Sequence, residues 1–204
     1  MSLAAFWTIV LIHLAAAISP GPSFVVSARS AATQGFQYGV ALAVGFGLGA
    51  LLWATVALAG ISLVFELVPG IHHALKITGA GFLFYLAIRM WFSATEPVEM
   101  QRISRASRTK FEAFRLGFWV FATNPKPAVF FGAVFAGLVP TDAPLPWLAA
   151  IVSAVFINET GWYIIVARVF SLPRAQQIYL KMKTTFDRVF AGVLAILSIR
   201  LVSS

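Results

Sequence analysis

Long apolar runs dominate the chain, and short clusters of polar, proline and glycine residues punctuate them. Six apolar stretches can be read off, at about residues 4–26, 39–65, 74–92, 116–139, 145–167 and 189–202. A helix needs about 20 apolar residues to cross a bilayer, so the pattern predicts six crossing helices. The last stretch is short and borrows from about residue 184 onward, with Asp187 and Arg188 at the headgroup level. Two stretches are interrupted. Ser19-Pro20-Gly21-Pro22-Ser23 breaks the first, and Asn124-Pro125-Lys126-Pro127 breaks the fourth.

Composition supports the pattern. Of 204 residues, 60% are hydrophobic and 11% charged, and mean hydropathy is +0.88. A soluble domain is typically about 25% charged, so a water-soluble enzyme is excluded, and so is a disordered chain. With no cysteine, disulfides, thiolate metal sites and cysteine nucleophiles are excluded too. No Lys or Arg precedes Arg29, so the positive start of a cleaved signal peptide is missing.

Charge then orients the spans. Fifteen Lys and Arg against seven Asp and Glu give +8. The excess sits in loops, with no basic-aromatic motif for nucleic acid. Cytoplasmic loops collect Lys and Arg. Arg29 follows span one. Arg89, Arg102, Arg105, Arg108, Lys110 and Arg115 lie at or between the facing ends of spans three and four. Arg168, Arg174, Lys181, Lys183 and Arg188 lie between spans five and six. With six spans these twelve share one side. Lys76 and Arg200 fall opposite, and Lys126 falls within the bilayer. Both termini are therefore expected on the outer side.

The two interruptions share a polar-Pro-x-Pro pattern 105 residues apart. The same shift carries span two onto span five and span three roughly onto span six. The expected fold is an all-α integral membrane protein. Its six transmembrane helices form two inverted three-helix repeats, with helices 1 and 4 broken. It is a single transporter domain over residues 1–204. Repeat one covers about 1–95, a basic cytoplasmic loop about 93–113, and repeat two about 110–204. Inverted repeats are the plan of many secondary transporters. Each proline removes an N–H and clashes with the carbonyl one turn back. Unpaired backbone is tolerated at membrane depth only inside the bundle or beside water. The breaks are thus the place for substrate.

At these residues the chain resembles a known family. Pro20-Gly21-Pro22, and Asn124-Pro125-Lys126 with Phe130-Phe131, are similar to the signature of the LysE/RhtB superfamily of amino-acid exporters. The stretch from Gly79 through Phe84-Tyr85-Leu86 resembles that family's third span. Arg188-Val189-Phe190-Ala191-Gly192 resembles its last. The likeness covers essentially the whole chain. It implies export of amino acids or similar small metabolites across the cytoplasmic membrane, driven by proton antiport. There are departures. Ser23 stands where an acidic or amide residue is common, Phe82 where a tyrosine is common, and Ala87 and Ser198 where glycines are often found.

Two ionisable residues lie deep in predicted spans. Lys126 is near the middle of span four, and Glu159, beside Asn158, near the middle of span five. Charge at that depth is costly and is kept for pairing or function. The two side chains could form a fixed ion pair between the spans. Alternatively Lys126 faces a substrate carboxylate and Glu159 carries the coupling proton. Ser19, Pro20, Gly21, Pro22, Ser23, Asn124, Pro125, Lys126 and Asn158 form the expected substrate site, with Thr123 a further candidate lining residue. Gly21, having no side chain, allows close approach. Gly45-x-x-x-Gly49, with Gly39 and Gly47, allows close helix packing within the chain or in a homodimer. His13, His72 and His73 form no metal set, and no cofactor is expected. The basic, serine-bearing residues 102–110 read as an anchor to anionic headgroups. Ile178, Met182 and Phe186 fit an interfacial helix leading into span six.

No G-x-x-x-x-G-K-[ST] loop is present, so ATP is not the direct energy source. No H-E-x-x-H or G-x-S-x-G motif supports an enzyme. A passive channel of the same architecture is the alternative reading. A scaffold subunit would leave the two breaks unexplained.

Overall fold

The computed structural model describes residues 1–19, 21–67, 71–96, 109–140 and 142–203. Among them every regular element is helical: α1 Leu3–Ile18, α2 Pro22–Gln34, α3 Phe36–Leu67, α4 Ile71–Ser93, α5 Lys110–Ala122, α6 Pro125–Leu138, α7 Leu145–Ser171 and α8 Pro173–Ser203. Phe36–Gly60 and Leu145–Ser171 are each long and apolar enough to cross a bilayer, and α1 with α2 is apolar enough to do so only when taken together, across a 62° bend.

Local chemistry sets these boundaries. The Ser2 hydroxyl accepts from the Ala5 N–H and starts α1. Thr109 and Glu112 form a reciprocal capping box that starts α5 six residues before the expected span. Pro22 and Pro125 stand in the first turns of α2 and α6, where a missing N–H costs nothing. Each break is therefore the end of one helix and the start of another.

Two helices run further than the apolar stretches they contain. α2 continues through Ala28, Arg29, Ala31 and Ala32 because no helix breaker intervenes before Gly35. Gly35 has φ +87°, which favours glycine, and it turns the chain into α3. Arg29 thus lies inside a helix rather than in a loop. The interfacial helix and sixth span expected separately are one continuous helix, α8, since Pro173 starts it and no proline follows.

α3 and α7 are the packing centre. α3 packs against α5, α7, α2 and α6; α7 packs against α3, α2, α1 and α8; α4 packs on α8 and α6. Gly39 meets Ala167 and Gly47 meets Thr160, so α3 and α7 run antiparallel. Gly45 meets Phe114 and Gly117, and Gly49 meets Phe121, so α5 runs parallel to α3. A Cβ added at Gly45 would stand 2.2 Å from the Phe114 carbonyl oxygen. The glycine stripe is therefore occupied within the chain, by α5 backbone at Gly45 and by the Ala167, Thr160 and Phe121 side chains at Gly39, Gly47 and Gly49.

The basic end is also more structured than a loop. Lys183 is buried and donates to the carbonyls of Ser93 (2.9 Å) and Ala94 (3.1 Å) at the end of α4. Its ammonium stands 2.8 Å from the buried Asp187 carboxylate. Positive charge at a helix C-terminus complements the exposed carbonyls there. Arg188 lies over the Trp91 ring. Residues 102–108 of the expected anchor lie outside the described residues, as do the side chains of His72 and His73.

Candidate functional site

The two breaks face one another. The Lys126 ammonium, on the first turn of α6, donates to the Ser19 carbonyl at the end of α1 across 3.4 Å. The Asn124 side-chain oxygen accepts from the Lys126 N–H at 3.0 Å and caps α6. Thr123 turns its hydroxyl back to the Trp119 carbonyl at 2.7 Å. α2 begins at Gly21 with no side-chain cap, so the positive end of its dipole faces the break.

A cavity with about 430 Å³ not filled by protein atoms opens between these ends. Ser19, Gly21, Ser23, Asn124, Lys126 and Glu159 line it, all residues expected from the sequence. A Cβ at Gly21 would stand 3.8 Å from the Lys126 Nζ, an ordinary contact, so close approach does not demand glycine there. Pro22 is exposed in the first turn of α2, outside the lining. Pro125 occupies the matching turn of α6. Pro20 lies outside the described residues. Asn158 faces elsewhere: its amide donates to the Val10 carbonyl at 3.0 Å and ties α7 to α1.

Glu159 is buried, and its carboxylate stands 3.5 Å from the His13 Nε2 rather than at ion-pair distance from Lys126. A fixed Lys126–Glu159 pair is therefore replaced by two separate contacts, with both side chains still on one cavity. His13 stacks on Phe131 at 5.4 Å, and its Nδ1 has no hydrogen-bond partner among the described residues. With His72 and His73 far off in sequence, His13 forms no metal set, and that pattern hides its place in the site. The available signal was simpler: an ionisable residue inside an apolar span. Phe130 and Phe131, from the same motif as Asn124 and Lys126, form an aromatic wall with Phe121 and Tyr163, which no motif announced.

The cavity has two electrostatic sides. Lys126 and the uncapped start of α2 favour negative charge. Glu159 and the carbonyls ending α1 favour positive charge. Such a compartment suits a small molecule carrying both charges. Among the described residues no cluster of three or more acidic, histidine or cysteine side chains could hold a metal.

Comparison with known proteins bears on this arrangement. The profile of the family described as "LysE type translocator" matches residues 7–204. The chain is 25% identical over 195 residues to the threonine efflux protein of Escherichia coli K12, covering 93% of this chain and 92% of that protein. It is 26% identical to the threonine efflux protein of Salmonella typhimurium with the same coverage. It is 29% identical over 154 residues to the cysteine/O-acetylserine efflux protein of Salmonella paratyphi A, covering 74% of this chain and 73% of that one. No solved structure matches.

Proposed function

We propose that this chain, which belongs to the LysE type translocator family, exports amino acids or similar small metabolites across the cytoplasmic membrane, coupled to proton antiport. The carrying observation is the cavity between the helix breaks, with Lys126 on one side and Glu159 on the other. In this reading the substrate carboxylate replaces the Ser19 carbonyl at Lys126, next to the positive end of the α2 dipole. The substrate ammonium takes the Ser19 carbonyl and Glu159. Glu159 and His13 hold the coupling proton between them. The efflux names of the relatives support the same direction of transport.

The same reading makes the fold six crossings in two inverted halves, α1–α4 and α5–α8. Three observations support it. The helices matched by the 105-residue shift, α3 with α7, run antiparallel. α4 and α8 also cross antiparallel, with Trp91 near Arg188 and Ser93 near Lys183. Trp53 on α3 donates to the Ala122 carbonyl on α5, while Asn158 on α7, 105 residues later, donates to Val10 on α1. Alternating access then amounts to one half rocking on the other around the paired breaks.

Uphill export from cells carrying the protein tests the proposal. Collapse of export on adding a protonophore supports antiport. Facilitated flux indifferent to the proton gradient supports a passive channel instead.

A further inference from the structure

A second cavity, with about 580 Å³ not filled by protein atoms, lies between the end of α2, the start of α3 and the second turn of α5. Arg29, Ser30, Thr33, Gln34 and Tyr38 form its polar part. Val26, one turn before Ser30, and Leu116 of α5 form its apolar part, toward the middle of the bundle. Among the described residues no carboxylate lines it. Arg29 makes no ion pair among the described residues, and its Nε is buried without a hydrogen-bond partner. Ser30 is 4% exposed.

A half-buried guanidinium without a counter-ion is costly, because its lost hydration is not replaced. The missing partner is an anion able to accept from a planar fork of donors, which phosphate does well. The cavity is also amphipathic along its length, polar at the helix ends and apolar one turn deeper. Its surroundings are basic: Lys110 and Arg115 stand on the first turns of α5, and Arg168 lies over Phe36 at the start of α3. A phosphate carried on an apolar chain fits each of these features.

We propose that the Arg29 cavity is a binding site for a phosphate group, supplied by the headgroup of an anionic phospholipid with its chain along Val26 and Leu116. The site is separate from the cavity at the breaks, and its occupation does not depend on what the protein transports.

The test is lipid titration of the purified full chain in neutral detergent, with phosphatidylglycerol, phosphatidylcholine and sodium phosphate as probes. The wild type is expected to prefer phosphatidylglycerol over phosphatidylcholine. Arg29→Gln should weaken phosphatidylglycerol binding roughly tenfold, the loss of a charge-assisted hydrogen-bond pair. Leu116→Trp, which fills the cavity and keeps every charge, should do the same if Arg29→Gln fails to fold. Arg174→Gln, an exposed basic residue on α8, should leave binding unchanged. Arg29-dependent binding of sodium phosphate alone would keep the site and assign it to soluble phosphate. Unchanged phosphatidylglycerol binding in folded Arg29→Gln or Leu116→Trp protein would overturn the proposal.

Discussion

The His13 Nε2 and the Glu159 carboxylate stand 3.5 Å apart between α1 and α7, both buried, on the wall of the cavity at the breaks. A buried acid beside a buried imidazole can exchange one proton without exposing a bare charge. Glu159→Gln keeps the shape and removes the exchange. Its uphill export should fall at least tenfold, and the residual flux should no longer respond to a protonophore. His13→Gln should shift the pH dependence of export and leave the folded yield unchanged. Export measured across external pH, with and without protonophore, checks both. A Glu159→Gln variant as proton-dependent as the wild type would remove the pair from the mechanism.

The glycine seam of α3 gives a stability prediction. A Cβ at Gly45 meets the Phe114 carbonyl at 2.2 Å and the Phe118 nitrogen at 2.7 Å. Backbone cannot rotate away as a side chain can, so Gly45→Ala should cost about 2 kcal/mol or more. Gly60 on the same helix has nothing within 4 Å of its added Cβ. Gly60→Ala should be neutral or slightly stabilising, since alanine is the better helix former. Melting temperatures of the two variants in one detergent should separate clearly; equal values would contradict the packing.

Lys183 and Asp187 fasten α8 to the end of α4. Lys183→Met leaves the Asp187 carboxylate buried without its ammonium and the Ser93 carbonyl without its Lys183 donor, while Thr184 still donates to Ala94, at a cost of about 3 kcal/mol. Adding Asp187→Asn to that variant should recover part of the loss, because the unpaired charge is gone. A thermal melt series over the wild type, single and double variants gives the coupling directly. Additive losses would mean the two residues act independently.

Orientation is open to a direct check. Arg29, Lys110, Arg168 and Lys183 lie on helix turns that gather at one end of the bundle. The positive-inside rule puts that end in the cytoplasm. A reporter that works only in the cytoplasm should be silent when fused after Ser204 and active when inserted among residues 97–108. The reverse pattern would invert the topology.

The breaks were the most legible feature of the chain. Prolines at fixed offsets in otherwise unbroken apolar runs have few structural meanings, and Asn124 and Lys126 take the places their spacing suggested. Helix ends were less legible. The polar run around Arg29 looks like a loop by hydropathy, yet alanine propensity and the absence of a breaker carry α2 to Gln34. Partners were the least legible. Lys126 and Glu159 are the natural ion pair by depth and neighbouring spans, but tertiary packing gives Lys126 to the Ser19 carbonyl and Glu159 to His13. The same packing directs Asn158 to Val10. Which face of a uniformly apolar helix turns inward is set by small residues such as Gly45 and Gly117, and periodicity does not reveal it.

The central claim is that substrate binds where the Lys126 ammonium now meets the Ser19 carbonyl. Amino-acid counterflow in proteoliposomes, comparing wild type with Lys126→Ala and Lys126→Arg, tests it most directly. Saturable counterflow is expected in the wild type, a loss of roughly tenfold or more in Lys126→Ala, and partial activity in Lys126→Arg, which keeps the charge. Folded Lys126→Ala protein with counterflow equal to the wild type would contradict it.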